Sequence, residues 1–230
     1  MLTLALDSSS KTASVALYDD KMIYTGELND GRTHSQKLMP MVESCFEKSG
    51  RDIKEVDLFA VINGPGSFTG VRIAVTAAKA LAMAVNAPIV AVDTLEALAY
   101  NVPFFEGIVA PIMDARRGQV YTALFRCGDY PERLCDDKAL HISELLEELK
   151  EMNEPVLFVG CGVEPNKDII KETMGDIAHF APAHCALQRA SAVAMLAERH
   201  YQMGEAVEPL VLVPNYVRES SAEQNLRKRS

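Results

Sequence analysis

The 230-residue chain lacks the features that mark disulfide-stapled, zinc-binding and secreted proteins. Its five cysteines are scattered and odd in number, and they form no Cys-x-x-Cys pair. This pattern argues against a disulfide framework and against a zinc ribbon. The N-terminal "MLTLALDSSS" has neither the basic start nor the apolar stretch of a signal peptide. We therefore expect a protein of the reducing cytoplasm.

The chain also lacks an uninterrupted run of membrane length and an excess of positive charge. Its longest low-charge stretch, "IAVTAAKALAMAVNAPIVAV", is interrupted by Lys79, Asn86 and Pro88. The formal net charge is −9, whereas a protein that grips nucleic acid alone normally presents a basic surface. We expect no membrane span, and we expect another chain to hold most of any RNA.

The residues that are present describe an ordinary globular protein, 48% hydrophobic and 24% charged. Its length suits one large domain or two small ones. Apolar periodicity in the first half predicts a β-meander followed by alternating helices and strands. Pro40 lies inside the first predicted helix, where we expect a bend or the true first turn. The predicted strands are 2–6, 13–18, 21–28, 56–63 and 88–93, and the predicted helices are 33–50 and 68–86.

The second half repeats this order. Without gaps, "DSSSKTASVALY" from Asp7 matches "DARRGQVYTALF" from Asp114 in the leading Asp, the Ala-Leu pair and the closing aromatic. We therefore predict an α/β protein with two duplicated lobes, 1–105 and 106–230. In the second lobe we predict helices at 143–151, 166–174 and 187–204, and strands at 155–160 and 177–181.

The loop "NGPGSFTG" is the first candidate for a binding site. Gly64, Gly66 and Gly70 resemble a dinucleotide fingerprint, and Asp93 closes the next strand where a ribose-binding acid would stand. Pro65, however, lacks the N–H that a pyrophosphate cradle would use. The alternative is a tight turn that aims the following helix, with Ser67 or Thr69 as its cap.

The turn "DSSSKT" is the second candidate. Some ATPases place magnesium and phosphate with a carboxylate followed by hydroxyls, although Asp and Ser are also ordinary turn residues. Elsewhere, His179, His184 and Cys185 lack the spacing of a zinc motif. No Gly-x-Ser-x-Gly elbow marks a nucleophilic serine.

The helix predicted at 68–86 is apolar around much of its circumference. Its apolar face is formed by Val71, Val75, Ala78, Leu81, Ala82 and Val85. The rest of the circumference, where a solvated helix would carry charge, is small and weakly polar, with Ala74, Ala77, Ala80, Met83 and Ala84. Such a helix is either enclosed within its own domain or covered by another subunit. The sequence alone leaves both alternatives open.

Six segments together resemble the bacterial threonylcarbamoyladenosine biosynthesis family TsaB, also called YeaZ. They are "LALDSSSKTASVAL", "HSQKLMPMV", "NGPGSFTGVRIA", "VDTLEALA", "MDARRGQVYTALF" and "VPNYVRE", and they span nearly the whole chain in order. The resemblance implies the actin-like, Hsp70-like and sugar-kinase-like (ASKHA) ATPase fold in two duplicated halves.

The resemblance also implies a function. Family members assist in placing a threonylcarbamoyl group on an adenosine next to the tRNA anticodon. The transferase is the paralogue TsaD, and the ATPase TsaE joins them. The implied role here is a non-catalytic scaffold that pairs with TsaD, with TsaE and with itself, and that meets tRNA indirectly. No intrinsic cofactor is implied, although ADP or ATP with Mg could be shared with partners. The alternative is an ATPase or phosphotransferase of the same fold that uses Asp7.

One departure from the transferase concerns metal binding. The paralogue carries a metal-binding His-Leu-Glu-Gly-His on a helix, and "TLEAL" corresponds to it here, with Thr94 and Leu98 in place of the histidines. These side chains cannot replace imidazole ligands. We therefore expect no metal site, and the glycoprotease-like label given to such proteins is doubtful for this chain.

The resemblance assigns roles to three sets of residues. The loop would launch a helix that, together with the helix of 34–48, forms a pairing surface. The predicted partner-binding residues are Leu38, Met41, Val42, Cys45, Val71, Arg72, Val75, Ala78, Lys79 and Ala82. The candidate nucleotide-binding residues are Asp7, Ser8, Ser9 and Ser10, and the structural loop comprises Gly64, Pro65, Gly66, Ser67 and Gly70.

Overall fold

A computed structural model describes residues 1–217 of the chain. The first sheet has the strand order β3-β2-β1-β4-β5. The pairs β1–β2 and β2–β3 are antiparallel, whereas β1–β4 and β4–β5 are parallel. These strands are β1 (Thr3–Asp7), β2 (Ala13–Asp19), β3 (Lys21–Leu28), β4 (Leu58–Gly64) and β5 (Ile89–Asp93).

The second sheet repeats this arrangement. Its main path runs β10-β7-β6-β11-β12, with β8 and β9 paired beside β6. The antiparallel and parallel pairs fall in the same places as in the first sheet. The strands are β6 (Ile108–Arg116), β7 (Gln119–Thr122), β8 (Phe125–Arg126), β9 (Glu132–Arg133), β10 (Lys138–His141), β11 (Val156–Val159) and β12 (Ala178–Phe180).

The predicted duplication of topology is confirmed, but the gapless match of the two hairpins is wrong by one residue. Ala5 pairs with Ala16 in the first hairpin, and the gapless match would place Ile112 opposite Ala123. Ile112 pairs with Thr122 instead. The register shifts between Asp114 and Arg116 because an irregularity there takes up one residue of β6.

Helices cover both faces of each sheet. The helices α1 (His34–Ser49) and α2 (Phe68–Val85) pack on one face of the first sheet, and α4 (Ile142–Met152) and α5 (Val163–Met174) pack on the matching face of the second. The helix α3 (Thr94–Tyr100) follows the first sheet but packs on the second. The helix α6 (Ala190–Gln202) follows the second sheet but packs on the first.

Because α3 and α6 each pack on the sheet of the other half, the division into two lobes after residue 105 stays a prediction. The packing of α6 on the first sheet depends on small side chains in that sheet. Ala5, Ala16 and Ala60 line the face toward α6, whose alanines face them and permit close packing of the helix on the sheet. The neighbouring Leu4 and Leu6 point to the opposite face, toward α1 and α2.

The sequence left two points open, the place of Pro40 in α1 and the reason for the apolar character of α2. Pro40 lies within α1, so it does not mark the first turn, which begins at His34. Within residues 1–217, α2 alone is long and apolar enough to suit a membrane crossing. It connects β4 to β5, which are parallel neighbours, and therefore serves as a crossover helix packed on their sheet.

Candidate functional site

Eight of the ten residues predicted to bind a partner lie in the chain's own core. Each is at most 9% exposed, because α1 and α2 turn their strongest apolar faces onto the first sheet. A partner that docks on these helices would therefore meet other residues of the same helices. Arg72 is exposed and Lys79 is half-buried. The eight buried residues are Leu38, Met41, Val42, Cys45, Val71, Val75, Ala78 and Ala82.

On the side of α2 that faces away from the sheet, Arg72 and Thr76 are exposed near the N-terminal end, and the exposed residues of the C-terminal part are uncharged. Met83 is 51% exposed, and Ala80 and Ala84 are exposed beside it. Met39 of α1 is 37% exposed. A helix surface of this composition normally lies against another surface. We call this region the outer face and define it by Met39, Ala77, Ala80, Leu81, Met83 and Ala84.

A groove of about 600 Å³ adjoins the outer face between α1 and the short helical turn at Ile53–Glu55. Met39, Phe46 and Leu81 supply its apolar lining, and Glu43 and Arg51 add charge. The outer face is therefore not flat, and a partner could insert a side chain here.

The C-terminal segment 207–216 lies along the other flank of α2, a contact that the sequence analysis missed. Lys79 Nζ donates to the carbonyl oxygens of Leu210 and Leu212 at 3.2 and 2.6 Å. The rings of Tyr216 and Phe68 pack together, with centroids 4.9 Å apart and planes tilted by 31°, and the Tyr216 hydroxyl accepts from Arg72 Nε at 2.7 Å. Both charges of α2 therefore bind this segment. Leu210, Val211 and Val213 are 64–69% exposed and extend the apolar surface.

The glycines of residues 63–70, which we call the signature loop, lie against other backbone segments, chiefly that of residues 7–12, which we call the serine turn. A Cβ on Gly70 would lie 1.9 Å from the carbonyl oxygen of Ser8, and one on Gly66 would lie 2.6 Å from that of Ser9. Gly64 has φ +119° and abuts the carbonyl of Asn215. The Gly64–Pro65 peptide bond is cis. The loop therefore lies between the serine turn and the C-terminal segment.

Two of the N–H groups at the start of α2, those of Ser67 and Gly70, are used within the chain. Ser67 is the N-cap, and its Oγ accepts from the Gly70 N–H at 3.3 Å. The Ser67 N–H donates to the Ser9 carbonyl at 2.7 Å, and Ser8 Oγ donates to the Gly70 carbonyl at 2.8 Å. In this conformation the loop aims α2 and fastens it to the serine turn, and these N–H groups are not directed at a free anion site.

The serine turn is closed by this packing. Asp7, Ser8 and Ser9 have no exposed surface, and Ser10 is 8% exposed. Asp7 Oδ1 accepts from the Ser9 N–H at 2.7 Å. Burial raises the pKa of Asp7 to about 6, against the opposing effect of the hydrogen bond from the Ser9 N–H. The side chain of Lys37 is also buried, and its Nζ donates to the Lys11 carbonyl at 3.1 Å.

Two features of the serine turn point in opposite directions for the binding of a magnesium nucleotide. Asp7 Oδ2 and Ser9 Oγ are buried without a hydrogen-bond partner among the described residues, as expected of groups that await a ligand. The backbone contacts at Gly66 and Gly70 nevertheless leave the turn covered. A nucleotide would have to displace the loop in order to reach Asp7.

The residues compared with the transferase's metal ligands lie inside the protein. Thr94 and Leu98 of α3 have no exposed surface. Within residues 1–217, no three His, Cys, Asp or Glu side chains are grouped to hold a metal. His179 contacts the Phe105 ring at 5.5 Å. The chain therefore places no recognisable metal ligands at this position.

Asp93, the candidate ribose-binding acid, is engaged within the chain. Its Oδ1 accepts from the N–H groups of Leu95 and Glu96, capping α3, and from Arg133 at 2.9 Å. Burial raises its pKa to about 7, with a further rise from Asp137. Arg133 also binds Asp137. Asp93 and Arg133 are 40 positions apart in the chain, so no local sequence pattern indicates that they form an ion pair.

Comparison with known families gives a consistent result. Residues 29–226 match the family model TsaD, described as tRNA N6-adenosine threonylcarbamoyltransferase. The chain is 37% identical to the tRNA threonylcarbamoyladenosine biosynthesis protein TsaB of Bacillus subtilis, over 97% of this chain and 96% of that protein. It is 30% identical to the TsaB of Escherichia coli, over 75% of this chain and 77% of that one.

Solved structures agree with these matches. The structure described as YeaZ from Pseudomonas aeruginosa superposes with a TM-score of 0.75 at 26% identity, covering 94% of this chain and all of that one. Another structure, described as similar to the peptidase YeaZ and also from P. aeruginosa, gives a TM-score of 0.81 at 28% identity, covering 94% and 99%. The predicted duplicated α/β fold is confirmed by the two sheets of like topology, and both of these structures share the fold.

Proposed function

The chain belongs to the TsaB family, within the wider group that the TsaD model describes, and on this basis we propose that it acts in the biosynthesis of threonylcarbamoyladenosine in tRNA. Its role is that of a non-catalytic scaffold subunit. It pairs with a TsaD-type transferase, which carries out the transfer, and a TsaE-type ATPase joins the pair.

The outer face is the observation that carries this proposal. It is an uncharged helix surface with exposed methionines, and the C-terminal segment adds three exposed aliphatic side chains beside it. α2 has 18 residues and is therefore about 27 Å long. A standard interface buries about 800 Å² on each partner, and a surface built from two helices and an adjoining segment is of suitable size.

The closed serine turn supports a role without independent catalysis. A phosphotransferase of this fold would use Asp7 and the following serines, which the signature loop covers. Thr94 and Leu98 cannot supply metal ligands. Any ADP or ATP with Mg would then be held with the partners. This role also agrees with the net charge of −9, since tRNA would reach the complex through the transferase.

Two further parts of the proposal concern self-association and cellular location. In the absence of its partners, the outer face pairs two copies of this chain, because an exposed apolar patch favours self-association. We place the complex in the cytoplasm, where the five free cysteines suit a reducing compartment.

Met83→Glu tests the outer face. Because Met83 is about half exposed, the substitution should leave the fold intact. In the complex it would bury an unpaired charge, which costs about 2 kcal/mol or more and weakens the Kd for the TsaD-type partner about 30-fold. The measurements are titration calorimetry with the purified transferase and sedimentation of the chain alone.

Met152→Glu is the matched control, since Met152 is 39% exposed at the end of α4 and lies outside the outer face. It should bind like the wild type. If Met83→Glu also binds the transferase with wild-type affinity, the outer face is not the pairing surface.

The alternative function, an ATPase that uses Asp7, is favoured by the unpartnered Oδ2 atom. Its test is the magnesium-dependent hydrolysis of ATP by the chain alone. A rate in the ordinary enzymatic range of about 1 to 10³ per second that is lost in Asp7→Asn would replace the scaffold proposal.

A further inference from the structure

An aromatic pocket of about 380 Å³ lies beside the C-terminal end of α3. It is formed where the chain leaves α3 and where the loop between β8 and β9 approaches it, and no residue of the outer face lines it. Nothing in the proposed function accounts for it. Its lining consists of Tyr100, Pro103, Phe104, Gly128, Asp129 and Tyr130.

The pocket presents aromatic rings to solvent. Phe104 is 89% exposed, the highest value among the large hydrophobic side chains of residues 1–217. Tyr100 and Tyr130 stack with their ring centroids 5.7 Å apart and their planes 15° apart. Phe104 gains little from folding in this position, since almost none of its surface leaves water. A ligand that covers the ring would recover this free energy.

One of these rings already binds a cation. The guanidinium of Arg199, on α6, lies 4.1 Å from the centroid of Tyr130. This distance is within the range of a cation–π contact, which contributes about 0.5–1 kcal/mol at an exposed site. Tyr130 therefore already has Arg199 and Tyr100 against its ring, so an incoming cation would have to use Tyr100 and Phe104.

The charge of the lining favours a second cation. Asp129 is the one charged residue among the six that line the pocket, and it is exposed. Its carboxylate can bind a guanidinium or ammonium group that stacks on the neighbouring rings. A nucleobase could stack on the same rings, but its phosphate would meet Asp129 and a chain of net charge −9.

We propose that this pocket binds an arginine or lysine side chain presented by a protein partner. The hydrocarbon stem packs on Phe104, and the cationic head lies between Tyr100 and Asp129, because Arg199 already lies over Tyr130. Arginine is preferred, because its planar group can stack on a ring and bind a carboxylate at the same time.

Fluorescence can test this proposal, since the chain contains no tryptophan. Phe104→Trp places a single indole in the pocket, and indole is the strongest of the aromatic cation binders. The variant is titrated with N-acetyl-arginine amide, N-acetyl-norleucine amide and adenosine 5′-monophosphate at matched ionic strength. We expect saturable changes in emission with the arginine compound at a lower concentration than with the other two.

The carboxylate is tested in the same background. Adding Asp129→Asn should weaken arginine binding about two- to fivefold, the value of an exposed ion pair. Asp136→Asn is the matched control, because Asp136 is exposed but does not line the pocket, and it should have no effect. Equal responses to arginine and norleucine, tighter binding of the nucleotide, or unchanged affinity in Asp129→Asn would each overturn the proposal.

Discussion

Gly70→Ala should destabilise the protein strongly, although alanine is the better helix former. Gly70 lies in the first turn of α2, and its new Cβ would lie 1.9 Å from the backbone oxygen of Ser8. Real Cβ atoms essentially never come closer than 3.0 Å to such an atom. The clash involves the backbone of α2 on one side and the backbone of Ser8 on the other, so no side-chain rotation can relieve it. The start of α2 must therefore move away from the serine turn by about 1 Å or more.

The cost can be worked from the contacts that this movement breaks. The hydrogen bonds from Ser8 Oγ to the Gly70 carbonyl and from the Ser67 N–H to the Ser9 carbonyl contribute about 1 kcal/mol each. Each also leaves a buried polar group unpaired, at about 1–3 kcal/mol. The gain in helix propensity returns about 1 kcal/mol. We expect a net loss of about 3–7 kcal/mol.

Urea unfolding followed by circular dichroism measures this loss. Gly128→Ala is the control, since its new Cβ would meet nothing within 4 Å, and it should change the stability by less than about 0.5 kcal/mol. A Gly70→Ala protein as stable as the wild type would refute the close packing of the loop on the serine turn. It would also reopen the possibility of a phosphate-binding loop.

Two further predictions concern buried titrating groups. Asp7 has a folded pKa of about 6 against an ordinary value of 3.8, so its ionisation opposes folding, and the wild type should lose about 3 kcal/mol relative to Asp7→Asn as pH rises from about 4 to 6. Parallel denaturation curves at pH 4 and 7 test this, and an unchanged difference between the two proteins would contradict it. His200 has its pKa raised to about 9, chiefly by Glu96 at 3.2 Å and then by Glu205. A shift of this size corresponds to about 3.4 kcal/mol, which solvent screening of the partly exposed ring reduces to about 2 kcal/mol. This stability should be fully present below pH 6.5 and lost as pH rises to 9, whereas His200→Gln should show no such loss over that range.

Most of the order of strands and helices was readable from the sequence, because most sheet strands are short apolar runs and the longer helices have a clear apolar face. However, α3 and the short strands β8, β9 and β10 were not predicted. The helical period also identified which residues of α1 and α2 are apolar together. It could not say what those residues face. In the structure the strongest apolar face meets the first sheet, and the weaker opposite face, with Ala80 and Met83, is left exposed.

Contacts between distant segments were not readable in this way. The C-terminal segment reaches Lys79 and Arg72 across more than 130 positions, and its own composition does not indicate the place of contact. α3 and α6 cover the sheets of the opposite halves, which no periodicity specifies. The loop requires Gly66 and Gly70 because Ser9 and Ser8 pack against them, and this contact between distant segments has no pattern in the sequence.

Reconstituted threonylcarbamoyl transfer to tRNA tests the central claim most directly. The purified mixture is assayed complete, without this chain, without the TsaD-type transferase, and with this chain alone. We predict that either omission abolishes transfer and that this chain alone gives none. Full transfer without this chain, or transfer by this chain alone, would contradict the scaffold account.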